Sequence, residues 1–141
     1  MSKRILIVDD EPHIVIPVEF LMRREGYEVT VERDGEAGLA AIRAQPPDLV
    51  ILDVMMPKLN GFEVCEAVRA DPALSAVRIL MLTAKGREAE KKKGLELGAD
   101  GYVAKPFSTH DLVATVSSLL EVEACRRRVG RTERSGSSSS V

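Results

Sequence analysis

Four short apolar runs end, in chain order, in a pair of acids, a single acid, a hydroxyl and a lysine. They are Arg4-Ile-Leu-Ile-Val-Asp-Asp10, Asp48-Leu-Val-Ile-Leu-Asp53, Arg78-Ile-Leu-Met-Leu-Thr83, and Gly101-Tyr-Val-Ala104 leading into Lys105-Pro106. A nearly continuous apolar run bounded by polar residues is the pattern of a strand covered on both faces, which is the situation of strands in a parallel sheet. Parallel strands present all their carboxyl ends on one edge. That edge would collect the carboxylates of Asp9, Asp10 and Asp53, the Thr83 hydroxyl and the Lys105 ammonium in one crevice, a donor set suited to a divalent cation and a phosphoryl group.

Between these runs the sequence alternates strand and helix five times. Glu11 and Pro12 open a helix to about Arg24, since proline suits a first turn whose N–H groups have no partner. Pro17 lies far enough inside to remove a hydrogen bond and is expected to bend this helix or delay its start. Gly26 ends it, Tyr27 to Val31 reads as a strand, and Asp34 caps a helix to about Ala44 that the Pro46-Pro47 pair stops. A loop at Met55 to Asn60 leads into a helix from Gly61 to Ala70, followed by a strand at Val77 to Leu82. A polar helix from about Arg87 to Leu97 ends at Gly98, and Ser108 opens a last helix reaching at least Leu120. This rhythm predicts a doubly wound α/β domain over residues 1–122, with right-handed crossovers and helices on both faces. Residues 123–141, with Arg126-Arg-Arg128 and a Ser-rich end, read as a frayed helix end and a disordered tail or linker.

A net charge of −2 gives no general attraction to nucleic acid or anionic membrane, and no apolar run reaches the roughly 18 residues of a membrane span. The two cysteines, Cys65 and Cys125, are too few for a disulfide framework or a cysteine zinc site, and with the absence of a secretory stretch they suggest a cytoplasmic protein. Cys65 falls on an apolar helix position and reads as core.

Clustered carboxylates repel one another, and the expected remedy is a hard divalent cation with oxygen ligands, Mg2+. Asp9 and Asp10 are placed to hold it, with the Met55 carbonyl just beyond Asp53 as a further ligand. Asp53, central between Asp10 and Thr83, is the best nucleophile for in-line attack on phosphorus, giving an acyl phosphate. Lys105 can pair with Asp53 before reaction and with a phosphoryl oxygen afterwards, while Thr83 can donate its hydroxyl to that oxygen or cap the next helix. Pro106 suggests a fixed turn after Lys105, with a cis bond as one way to make it.

These residues resemble the receiver domain of bacterial two-component response regulators. The resemblance spans about residues 3–122 and rests on Val-Asp-Asp-Glu at 8–11, Leu-Asp-Val-Met-Met-Pro-Lys-Leu-Asn-Gly at 52–61, Leu-Thr-Ala-Lys at 82–85, Gly-Ala-Asp-Gly-Tyr at 98–102 and Lys-Pro-Phe at 105–107. It implies a flavodoxin-like (βα)5 fold with sheet order 2-1-3-4-5. It further implies Asp53 as acceptor of phosphate from a histidine kinase or histidine phosphotransfer protein, magnesium on Asp9, Asp10, Asp53 and the Met55 carbonyl, Thr83 and Lys105 on the phosphoryl group, a cis bond before Pro106, and Tyr102 as a switch aromatic that follows Thr83. The chemistry so implied is the chain's own phosphotransfer and slow autodephosphorylation, not turnover of a separate metabolite. Asn60 stands where aspartate is more usual, and Pro17 is unusual in a first helix. Lys85 and Met55 are expected to flank the entrance and influence the access of water.

Output is expected through protein contacts of the fourth helix, fifth strand and last helix, to a downstream protein, a fused output domain or a phosphorylation-dependent homodimer. The Lys91-Lys-Lys93 run there reads as a solvated face that an acidic partner could use. No DNA-recognition helix follows residue 122 in this sequence. Two other functions stand beside this one: an interaction module of the same fold that phosphate no longer switches, and a magnesium phosphohydrolase passing through an aspartyl phosphate. Retention of Asp53, Thr83 and Lys105 together argues against the first, and the lack of an evident second acid or base and of a cap against the second.

Overall fold

The computed structural model describes residues 3–56, 58–84 and 88–129, with side chains through Glu121. Five strands, β1 (Arg4–Val8), β2 (Glu28–Glu32), β3 (Leu49–Asp53), β4 (Arg78–Ala84) and β5 (Gly101–Lys105), form one parallel sheet in the order β2-β1-β3-β4-β5. They alternate with helices α1 (Pro12–Arg24), α2 (Gly35–Ala44), α3 (Gly61–Ala70), α4 (Glu88–Glu96) and α5 (Thr109–Val129). This is the doubly wound (βα)5 arrangement that the sequence predicts.

Alternation along the strands builds two cores. Ile5, Ile7, Leu49, Ile51, Leu80 and Leu82 face α1 and α5, meeting Val15, Val18, Met22, Leu112 and Val116. The intervening Leu6, Val8, Val50, Leu52, Ile79 and Met81 pack in the second core with Leu39, Ile42, Val64 and Val68 of α2 and α3. Every one of these central-strand side chains is almost fully removed from water, which is why the strands read as continuous apolar runs.

The local signals act largely as expected. Asp34 accepts a 2.8 Å hydrogen bond from the Ala37 N–H at the start of α2, the Ser108 hydroxyl accepts one from Asp111, and Gly26 and Gly98 supply the positive φ of 96° and 109° that follow α1 and α4. Pro17 does not delay α1, which is continuous from Pro12. Strand β4 continues beyond Leu82 because Thr83 and Ala84 find partners in Ala104 and Lys105 of β5. Asp71 caps a single 3-10 turn at Pro72–Leu74 that the sequence reading passed over. Helix α5 runs to Val129, in keeping with a last helix expected to reach at least Leu120. Lys85, the side chains of Arg126 to Arg128 and the Ser-rich end lie outside the described residues.

Two close approaches fix the loop after β3. A Cβ on Gly61 would stand 2.3 Å from the carbonyl oxygen of Asp53, and one on Gly35 would stand 2.0 Å from that of Leu59. Only glycine lets the starts of α3 and α2 come this near the loop. At the opposite, amino edge of the sheet Asp100 accepts hydrogen bonds from Arg69 (2.7 Å), Arg78 (3.1 Å) and the Ile79 N–H (2.8 Å), tying α3, β4 and the turn before β5 together.

Candidate functional site

The carboxyl edge of the sheet brings Asp9, Asp10 and Asp53 together. Each can offer an oxygen to a point where the three atoms lie within 4.8 Å of one another. Asp9, just past β1, and Asp53, the last residue of β3, are buried, while Asp10 is more open to solvent. Register places Asp53 opposite Leu82, so Thr83, itself 3% exposed, stands one residue further along the neighbouring strand. Lys105 ends β5, and the Lys105–Pro106 peptide is cis.

Lys105 is the electrostatic centre. Its ammonium lies 3.0 Å from Asp53 Oδ1, 3.0 Å from Glu11 Oε1 and 4.0 Å from Asp9 Oδ2. Burial works against its charge, but the bonds to Asp53 and Glu11 prevail and its pKa is raised. Glu11 is held below the usual carboxylate range by its hydrogen bond from Lys105. Asp53 is raised, chiefly by burial, with the Lys105 bond and the Met55 N–H pulling the other way. Asp9 is pushed up to about 6, again chiefly by burial; the Glu11 N–H opposes this, the Asp53 charge adds to it, and Lys105 opposes it.

Asp9 shares its oxygens unequally. Its Oδ1 accepts the Glu11 N–H at 3.0 Å, whereas its buried Oδ2 accepts no hydrogen bond among the described residues and has the Lys105 ammonium 4.0 Å away. A buried carboxylate oxygen without a hydrogen bond is costly, and a cation in direct contact would offset that cost. The three carboxylates are hard oxygen donors, so the cluster is able to coordinate a divalent metal ion.

The sequence reading missed the Glu11–Lys105 bond, which links residues 94 positions apart and could not be seen in local pattern. Lys92 and Lys93 are exposed and Lys91 is half-buried, the solvated face expected of this run. What the sequence did not disclose is that Lys91 lies 4.5 Å from the ring centroid of Tyr102, and Lys93 4.8 Å from that of Phe62. Tyr102 is directed to the surface, 36% exposed.

Residues 5–117 match the family model for the response regulator receiver domain. The chain belongs to that family. This receiver is 48% identical over 120 residues to the alkaline phosphatase synthesis transcriptional regulatory protein PhoP of Bacillus subtilis, covering 85% of the chain and 49% of the relative. A putative response regulator from Chloroflexus aurantiacus superposes with a TM-score of 0.83 at 39% identity, over 86% of this chain and 99% of that one. The receiver domain of the Pseudomonas aeruginosa histidine kinase PA1611, whose structure has a magnesium ion coordinated in the active site cleft, gives 0.79 at 28% identity, over 86% and 99% of the two chains. The receiver spans about half the length of the curated relatives it matches. Its acidic cluster and its α4–β5–α5 face are consistent with the receiver of a phosphorylation-activated response regulator. No described helix is long and apolar enough to cross a membrane.

Proposed function

We propose that Asp53 accepts the phosphoryl group from a phosphohistidine of a sensor histidine kinase or histidine phosphotransfer protein. The observation that carries this reading is a buried carboxylate at the end of the central strand with a lysine ammonium 3.0 Å from one oxygen. Asp53 attacks phosphorus in line, the new O–P bond forms as the bond to the donor nitrogen breaks, and the electron pair leaves with the imidazole. Asp9, Asp10, Asp53 and the Met55 carbonyl would hold Mg2+, which when bound supplies positive charge to the phosphoryl oxygens. Lys105 exchanges its Asp53 oxygen for a phosphoryl oxygen, and Thr83 donates its hydroxyl to another.

Withdrawal of Thr83 toward the phosphoryl group opens space for Tyr102 to turn inward from the surface, altering the α4–β5–α5 face. That face would then select a downstream protein, a fused output domain or a second receiver. In this reading residues 1–122 are the receiver body and 123–141 a tail or linker, working in the cytoplasm. Incubation with Mg2+ and acetyl phosphate should add the mass of one phosphoryl group to the intact protein and none to Asp53→Ala. An unlabelled wild type, under conditions that label a known receiver, would refute the function; an equally labelled Asp53→Ala would refute the site.

A further inference from the structure

Glu11 occupies the position that caps α1, yet its side chain makes no capping bond. It reaches Lys105 instead, at the same 3.0 Å that separates Lys105 from Asp53. Two contacts through one ammonium nitrogen place the Glu11 and Asp53 oxygens no more than about 6 Å apart. Glu11 is much the more exposed of the two, with 43% of its side chain open against 4% for Asp53. The site thus carries a fourth carboxylate beside the three of the cluster, standing on the solvent side of the lysine.

We infer that Glu11 is a positioning and specificity-determining residue that selects phosphodonors by their charge. The inference rests on the assignment of Asp53 as acceptor. Two effects act together. Glu11 holds the ammonium that must move to the incoming phosphoryl group, and its own charge repels an anionic donor approaching Asp53. A donor with greater negative charge meets the greater repulsion, so Glu11 disfavours free acyl phosphates relative to donors whose reacting group carries a compensating positive charge, as a protonated phosphohistidine or a phosphoramidate does. Unit charges about 6 Å apart, in surroundings between bulk water and half its dielectric constant, discriminate about three- to tenfold per unit of donor charge. Nothing covalent changes: in either donor the Asp53 O–P bond forms while the bond to the leaving acetate oxygen or ammonia nitrogen breaks.

The test compares initial rates of labelling by acetyl phosphate, a dianion near neutral pH, and phosphoramidate, a zwitterion with one less net negative charge, at saturating Mg2+ and low ionic strength. In Glu11→Gln, which keeps the shape and a hydrogen-bonding oxygen, the acetyl phosphate to phosphoramidate rate ratio should rise about three- to tenfold over wild type. Added salt should raise the wild-type ratio toward the variant's and leave the variant's nearly level. A general loss of structure would slow both donors and leave the ratio in place. If both proteins label at Asp53 with the same ratio, or the ratio falls, Glu11 has no such role while the acceptor assignment stands. If neither donor labels the wild type, it is the acceptor assignment that fails.

Discussion

Asp9 shows how a single residue can be poorly suited to folding and well suited to binding. Its carboxyl is fully buried and its pKa raised to about 6 from an ordinary 3.8, so the folded state holds the proton more tightly than the unfolded chain does. The sign follows from linkage. The penalty is absent below about pH 3.8, grows as pH rises through 6, and is complete above it. Asp9→Asn should therefore be more stable than wild type by ~1–3 kcal/mol at pH 7.5 without divalent cation, and no more stable at pH 3.5, as read by urea denaturation. A variant of equal or lower stability at pH 7.5 would contradict the assignment. Glu11 has the opposite character: partly open to solvent and paired, it keeps its charge without such a penalty.

Among the elements, the loop between β3 and α3 is held most deliberately. Asn60 accepts the Glu63 N–H at 2.9 Å, and the Glu63 carboxylate accepts the Asn60 N–H at 2.9 Å, a reciprocal capping box. The glycine approaches at residues 61 and 35 press the two ends of this loop against its neighbours. Asn60→Ala should cost ~1 kcal/mol and lower the melting temperature by ~4 °C, whereas Asn60→Asp keeps an accepting oxygen and should melt within about 1 °C of wild type. Equal melting of Asn60→Ala and wild type would show the cap to be dispensable. The motif was visible in the sequence as Asn60 followed three residues later by Glu63, and the reading of Asn60 as a family departure obscured its capping role. Strand and helix identities were legible because apolar runs and punctuating Gly, Pro and Asp residues are local. The end of β4 was not, since its last two residues are strand only by virtue of what β5 offers them.

For the molecule as a whole, the sequence disclosed the acidic crevice because a parallel sheet sends all its strand ends to one edge, and Asp9, Asp10 and Asp53 did meet there. The Glu11–Lys105 pairing that tunes the crevice was hidden, as was the Lys91–Tyr102 contact on the α4–β5 surface, since both form only through the folded topology. Long-range response can be followed directly, because the chain contains no tryptophan. Tyr102→Trp provides a lone reporter whose emission should change when Mg2+ and acetyl phosphate are added, and should not change in the Asp53→Ala background. Unaltered emission from protein that intact mass shows to be phosphorylated would separate Tyr102 from the response. The helix beside that reporter has an unusual attachment. Along α4 the one buried residue is Gly94, which sets bare backbone against the Met81 side chain. A helix seated on a glycine leaves no large side-chain socket empty when it shifts, so its displacement forfeits little apolar burial. The Asp100 fastening lies beyond its far end. The receiver therefore has a light arm on a firm pivot, an arm whose tilting forfeits little buried surface.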